Sequence, residues 1–224
     1  MKITWLGQAG LLFETEKATV MIDPYLSDSC ARLNPNNHRR VPVEEALFDI
    51  KPNLMIFTHN HLDHYDPETV EKFIKEDSGI TVLAPNTVWP EVRKLGGNNN
   101  YVQFDRHTRW SQYGLTFTAV KATHSDAGAI GVIIDDGEKK YYVTGDTLYN
   151  SEIFSDLPDD IYAVFLPVNG VGNNMNMCDA ADFARKTGAE KVVPLHIGLF
   201  DSISAHDFKC ENKVVPTFYK EIKL

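Results

Sequence analysis

The 224-residue sequence has only three cysteines, Cys30, Cys178 and Cys210, and no Cys-x-x-Cys pair. An odd and scattered set excludes a disulfide framework and a cysteine zinc knuckle, and it fits a reducing compartment. Long apolar runs are also lacking. No window approaches the roughly 18 residues that span a membrane, and the opening MKITWLGQAG has no signal-peptide core. A soluble cytoplasmic protein without a membrane partner is the expectation. Positive charge is scarce: 22 Lys and Arg stand against 31 Asp and Glu, a formal net charge of −9. That balance argues against a surface that grips a nucleic-acid backbone, but not against a small anionic substrate, which needs only a few positive groups or a metal. No repeat, linker or low-complexity tract interrupts the chain. With 43% apolar residues over this length, one domain spanning residues 1–224 is expected.

What is present alternates short apolar runs with turn residues. Residues 2–6, 10–14 and 18–22 read as strands around a Gly-rich turn, and Asp23-Pro24 stops the last of them. Residues 27–42 mix Asn, Pro, Asp and Arg in no period, which predicts a long loop or short helical turns. The apolar run 54–58 predicts a buried strand leading into a histidine cluster. Pro67 can open a helix with Val70, Phe73 and Ile74 on its apolar face. Further strands are expected at 80–84, 101–104, 115–122, 130–135, 140–144, 161–166 and 192–195, with a hairpin at Asp136-Gly137. Helices are expected at 87–95 and 179–187, the second stopped by Gly188. Strand runs separated by two or three helices fit an α+β fold, a four-layer αββα sandwich.

The densest chemical signal is Thr58-His59-Asn60-His61-Leu62-Asp63-His64, with three imidazoles and a carboxylate inside six positions. A lone histidine at a strand end is usually an ordinary hydrogen-bonded residue. Four donors in one turn gain most when cations hold them together. In an extended segment His59 and His61 project to the same side and can share one metal. Asp63 and His64 lie one turn further on and can face a second.

This segment resembles the signature His-x-His-x-Asp-His of the metallo-β-lactamase superfamily. The resemblance implies further ligands. His124 in Ala122-Thr123-His124-Ser125 would complete the first site with His59 and His61. Asp146 in Thr144-Gly145-Asp146-Thr147 would bridge both metals, and His196 in Pro194-Leu195-His196 would complete the second site with Asp63 and His64. Each follows a strand read from the apolar pattern, the context such motifs require. Trp5-Leu6-Gly7-Gln8-Ala9-Gly10 and Ile22-Asp23-Pro24 also look like this superfamily, and Asp23 is expected to brace a ligand or the site loops. The stretch from Leu166 to Asn176, followed by Val193-Pro194-Leu195-His196, is similar to the branch that contains L-ascorbate 6-phosphate lactonase and small uncharacterised hydrolases.

Residues 169–176 place four Asn and two Gly before a helix. Either this is a surface turn that uses Asn for positive φ, or Asn169, Asn173, Asn174 and Asn176 offer amides to a substrate. Arg39 and Arg40 are the candidate phosphate anchors if the substrate is anionic, a solvated Arg pair being the alternative. His38, His107 and His206 are expected at the surface or site edge.

The resemblance implies a hydrolase with two divalent metals, zinc or manganese with iron compatible, and a water activated between them. Asp63 and His196 are the candidate catalytic groups among the ligands. Lactone opening in a small molecule is the preferred reaction. The alternatives are a phosphodiesterase acting on a small or cyclic nucleotide, and a metal-stabilised binding scaffold without turnover. A homo-oligomer is compatible with the family.

Overall fold

The structure is a computed structural model that describes residues 1–224. Two six-stranded sheets face each other. The first has the order β1 (Lys2–Gly7), β2 (Gly10–Glu14), β3 (Thr19–Ile22), β4 (Leu54–Ile56), β5 (Thr81–Ala84) and β6 (Asn100–Gln103). Its first three strands form an antiparallel meander, and β3 to β6 run parallel. The second runs from β7 (Arg109–Gln112) through β8 (Leu115–Lys121), β9 (Ile130–Asp135), β10 (Lys140–Val143) and β11 (Ile161–Pro167) to β12 (Lys191–Leu195). Here β7 to β10 alternate in direction and β10 to β12 are parallel.

Side-chain alternation explains the layering. Leu11 and Phe13, Val20 and Ile22, and Leu54 and Ile56 enter the core between the sheets, where they join Phe117, Val132, Tyr141 and Phe165. The intervening Leu12, Met21 and Met55 face the other way, into a second core under α2 (Pro67–Phe73) and α3 (Trp89–Val92). A period of two on strands buried on both faces is what puts one apolar set on each side. The outer face of the second sheet is covered by α4 (Met177–Thr187), whose Phe183 and Ala184 are buried and whose Phe183 ring lies 6.3 Å from that of Tyr142. The result is the αββα sandwich. A short helix, α1 (Ser29–Leu33), interrupts the long loop after β3.

Helix ends follow the residues expected of them. Asp66 caps α2 by accepting from Glu68 and Thr69 backbone N–H groups, with Pro67 next. Asn176 caps α4 at Cys178 and Asp179, and Gly188 closes it at φ 69°. Two features carried no sequence signal. The polar β7 pairs with β8 through a turn in which Tyr113 and Gly114 both have positive φ. The irregular C-terminal stretch covers the sheet edges. Trp5 and Ile3 exchange backbone bonds with Tyr219, Lys220 and Ile222, and Phe218 stacks on Trp5 at 4.2 Å. Val192 bonds to Asn212 and Val214 at the far edge of the other sheet. Edges satisfied in this way offer no free template for pairing.

Candidate metal centre

Loops leaving the carboxyl ends of β3, β4, β8, β10 and β12 meet at one end of the sandwich, and each carries one part of the sequence pattern. After β3 comes Asp23, after β4 the histidine cluster, after β8 His124, after β10 Asp146 and after β12 His196. One ligand atom each from His59, His61, His124 and Asp146 lies within 4.8 Å of the others, and the same holds for Asp63, His64 and His196. His59, His64, Asp63, Asp146 and His196 are buried. Chain distance is thus cancelled by the strand order, and all seven donors form two adjoining groups.

The outer nitrogens of these imidazoles are tied down. His64 Nδ1 donates to Asp23 Oδ2 at 2.8 Å. Thr58 Oγ1 donates to the same carboxylate and lies 3.0 Å from His59 Nδ1, while Thr58 N donates to Asp23 Oδ1. His124 Nδ1 lies 3.2 Å from the Asn173 carbonyl, which can only accept. Such contacts fix the tautomer and leave the inner nitrogen as a lone pair facing the centre. Four residues at this end hold positive φ without being glycine: Gln8, Asp23, Asn173 and His196. Strain of this kind concentrates at functional sites and persists only where the surroundings enforce it.

Three of the inner atoms have no hydrogen-bond partner in the protein. His59 Nε2, His64 Nε2 and Asp146 Oδ1 are buried without a hydrogen bond, although His64 Nε2 and Asp146 Oδ1 are only 3.1 Å apart. His61 Nδ1 and His124 Nε2 face each other at 3.0 Å. Buried polar atoms are otherwise satisfied almost everywhere in proteins, and unpaired donors converging on one point fit a cation between them. Charge supports the same reading. Burial holds His59 well below the usual imidazole range. Burial also lowers His64 and His196, but Asp146 and Asp63 outweigh it, raising His64 well above normal and His196 to about 9. Burial would raise Asp63 and Asp146, yet His64 and His196 hold both well below the usual carboxylate range. Without metal, protons on two imidazoles compensate the buried carboxylates.

Several flanking residues hold this geometry. Asn174, fully buried, donates to Asp146 Oδ2 at 2.7 Å and accepts from Thr147 N. Thr147 Oγ1 in turn accepts from Thr123 N beside His124. Asp126 accepts from Asn60 N, Thr87 Oγ1 and Gly128 N, joining the loops after β4 and β8. Gln8 donates to Asp63 Oδ2 at 3.0 Å and sits 3.1 and 3.2 Å from the two ring nitrogens of His196, with its own Oε1 buried and unpartnered. Sequence reasoning gave Asp126 and Gln8 no role. The one available signal was that Gln8 lies in the N-terminal Gly-rich turn.

Other expected contacts go elsewhere. Asn176 is spent on the cap of α4 and on Asp179. Asn169 holds Val171 N and reaches towards Asp201. Arg39 is no free phosphate anchor, because its guanidinium donates to the carbonyls of Tyr25, Leu6 and Val41 and to the Tyr219 hydroxyl. Arg40 is bound to Ile203 O and Asp201. Loop carbonyls and one carboxylate had a prior claim on both side chains. His38, His107 and His206 are away from the cluster, at the exposed surface.

Comparison with known proteins identifies the family and the fold. Residues 18–197 match the family model of the beta-lactamase superfamily domain. A metal-dependent hydrolase of Exiguobacterium is 30% identical over 219 residues, covering 91% of this chain and 88% of the relative. Another from Oenococcus oeni is 28% identical over 99% of each chain. Among solved structures, a possible metal-dependent hydrolase of Veillonella parvula superposes with a TM-score of 0.81 at 18% identity, covering 100% of this chain and 99% of that one. The isothiocyanate hydrolase from Delia radicum gut bacteria gives 0.77 at 19% identity, with the same coverage. At those identities the likeness in structure is one of fold, and the match of the family model over most of the chain carries the assignment: the chain belongs to the metallo-β-lactamase superfamily.

Proposed function

We propose that the protein is a metal-dependent hydrolase, with one divalent ion held by His59, His61 and His124, a second by Asp63, His64 and His196, and Asp146 between them. The observation that carries this reading is the convergence of buried donor atoms left without protein partners. Mixed imidazole and carboxylate donors suit zinc or manganese and are compatible with iron. A diiron β-hydroxylase from Streptomyces venezuelae shares the fold over 54% of its own chain, at a TM-score of 0.77 and 14% identity. When bound, such a pair of ions lowers the pKa of a shared water and polarises the bond under attack.

The chain supplies the rest. Asp63, one of the second group's donors, is held ionised by His64 and His196 and lies 3.1 Å from His196 Nε2, so it can orient the attacking water. Asn174 and Thr147 fix Asp146 so that the two donor groups keep their spacing. A covalent cysteine route is disfavoured, since burial pushes the nearby Cys30 thiol up to about 11. A lactone carbonyl is the proposed target, on the similarity of the 166–176 segment to lactonases of the superfamily. The substrate is a small molecule and the protein acts without nucleic-acid or membrane partners.

The test is elemental analysis of protein purified without added metal, with lactone and phosphodiester panels run on the same sample. Two equivalents of zinc, manganese or iron with lactone turnover are expected, and Asp146→Ala should cut that turnover by about a hundredfold or more. Turnover of phosphodiesters alone would move the reading to the phosphodiesterase alternative. A protein that takes up no metal and turns over neither panel after metal is added back would overturn the hydrolase reading.

A further inference from the structure

Resting on the hydrolase reading above, we propose that the substrate is an uncharged electrophile with an apolar arm, seated against Leu62, Leu148, Val171 and Phe200 beside the metal donors. Two independent observations lead there. The first is the absence of free cations. Of the loops that reach the centre, residues 58–66, 122–128, 144–150, 168–177 and 196–208 contain no Lys or Arg. The arginines of the loop after β3 and the neighbouring Lys121 are committed elsewhere: Arg32 to Glu68, Arg39 to backbone carbonyls, Arg40 to Asp201 and Lys121 to Glu152. Three carboxylates, Asp23, Asp63 and Asp146, already face the imidazole cluster. A phosphorylated substrate would find no guanidinium or ammonium to meet its charge.

The second observation is what those loops carry instead. Of the six large apolar side chains that are exposed, Leu148, Tyr149 and Val171 lie on them. Leu148 follows Asp146 by two residues, and its N–H donates to the Thr123 carbonyl beside His124. The Val171 carbonyl accepts from Asn174, whose amide also grips Asp146. Phe200 stacks on His196 with ring centroids 6.1 Å apart and planes at 29°. Leu62 stands between His61 and Asp63, and it and Phe200 pack half-buried on the Tyr25, Cys30 and Leu199 cluster. Four separate loops thus bring apolar residues to the donors: Leu62 and Leu148 lie within two positions of one, Phe200 stacks on His196, and Val171 is tied to Asp146 through Asn174. Pockets that bind small molecules combine such apolar walls with a few oriented polar groups.

The experiment uses the metal-loaded protein and three probes that share one ring: γ-butyrolactone, its α-hexyl derivative and its α-phosphonomethyl derivative. Each buried methylene is worth about fourfold in affinity, so a hexyl arm that buries about three to four of its carbons on this open surface should exceed the bare ring by about a hundredfold in kcat/KM, carried mainly by KM. The phosphonate should gain nothing. Phe200→Asp and Leu62→Asp should flatten the dependence on arm length. Preference for the phosphonate, or no gain from the hexyl arm, would overturn the inference while leaving the hydrolase reading intact. Should none of the three lactones turn over, the hydrolase target is wrong, and binding of 2-hexylcyclopentanone followed by saturation-transfer NMR still decides the wall. Binding lost in Phe200→Asp supports it, and no binding to the parent protein overturns it. A Leu148→Asp variant that converts a dimer to a monomer with the hexyl gain intact would also overturn it, assigning the apolar surface to a second copy of the chain.

Discussion

Asp23 serves three groups with two oxygens: His64 Nδ1, Thr58 N and Thr58 Oγ1. Exchanging one acceptor oxygen for an amide in Asp23→Asn would set N–H against N–H or O–H and release the rings it directs. We expect a 10- to 100-fold loss of metal affinity, about what such supporting contacts are worth, read by competition with a chromophoric chelator. An Asp23→Asn protein that binds as tightly as the parent would reduce Asp23 to filling space. Gln8 offers a sharper test, because it contacts Asp63 and His196 and none of His59, His61 and His124. Gln8→Ala should therefore lower metal content from two equivalents towards one, with the loss confined to the second group. Equal weakening of both sites would point to general loosening. At this scale the convergence of the donor groups was legible because their chemical types crowd into one motif and recur at strand ends. Gln8 and Asp126 were not, since a lone amide or carboxylate in a turn has no spacing to betray it. Arg39 and Arg40 misled because a guanidinium looks the same in sequence whether it faces substrate or loop carbonyls.

Among the elements, α4 shows how one residue type divides between two tasks. Asn174 and Asn176 are two positions apart, yet one grips Asp146 and the other ends a helix. Asn176→Ala should cost about 1 kcal/mol, the usual worth of an N-cap, seen as a lower urea midpoint. If it abolished turnover with an unchanged midpoint, the cap would not be its main role. Strands buried on both faces were readable as short apolar runs bounded by Gly, Pro and Asp, which is why β4, β11 and β12 were expected near their observed positions. The polar β7 has no such run, and it exists only because β8 gives it a ladder. The covering of β1 by Lys220 and Ile222 was unreadable for a related reason. It joins the two ends of the chain through backbone groups, and backbone pairing leaves no mark on side-chain pattern.

Taken as a whole, the molecule carries a net charge of −9 and buries carboxylates at one end, so its metal-free and metal-loaded states should respond differently to pH. In the metal-free protein His196 is raised to about 9 and His64 lies well above its ordinary value, burial being outweighed by Asp146 and Asp63. A group whose folded pKa is raised stabilises the fold fully below its unfolded value of about 6.5, and that contribution fades as pH climbs through the folded value. The metal-free urea midpoint should therefore decline between pH 6.5 and 9. Metal binding must displace the same protons, so its affinity should rise with pH over this window, by up to tenfold per unit for each proton released. The loaded protein, whose ligating imidazoles carry no such protons, should hold its stability over the window in which the metal-free one loses it. Calorimetric titration of zinc into metal-free protein at pH 7, in two buffers of different ionisation enthalpy, counts the protons directly. One to two released per protein is the expected result. Zero would mean that His64 and His196 are already neutral, and that something other than paired imidazolium charge stabilises Asp63 and Asp146 inside the empty cluster.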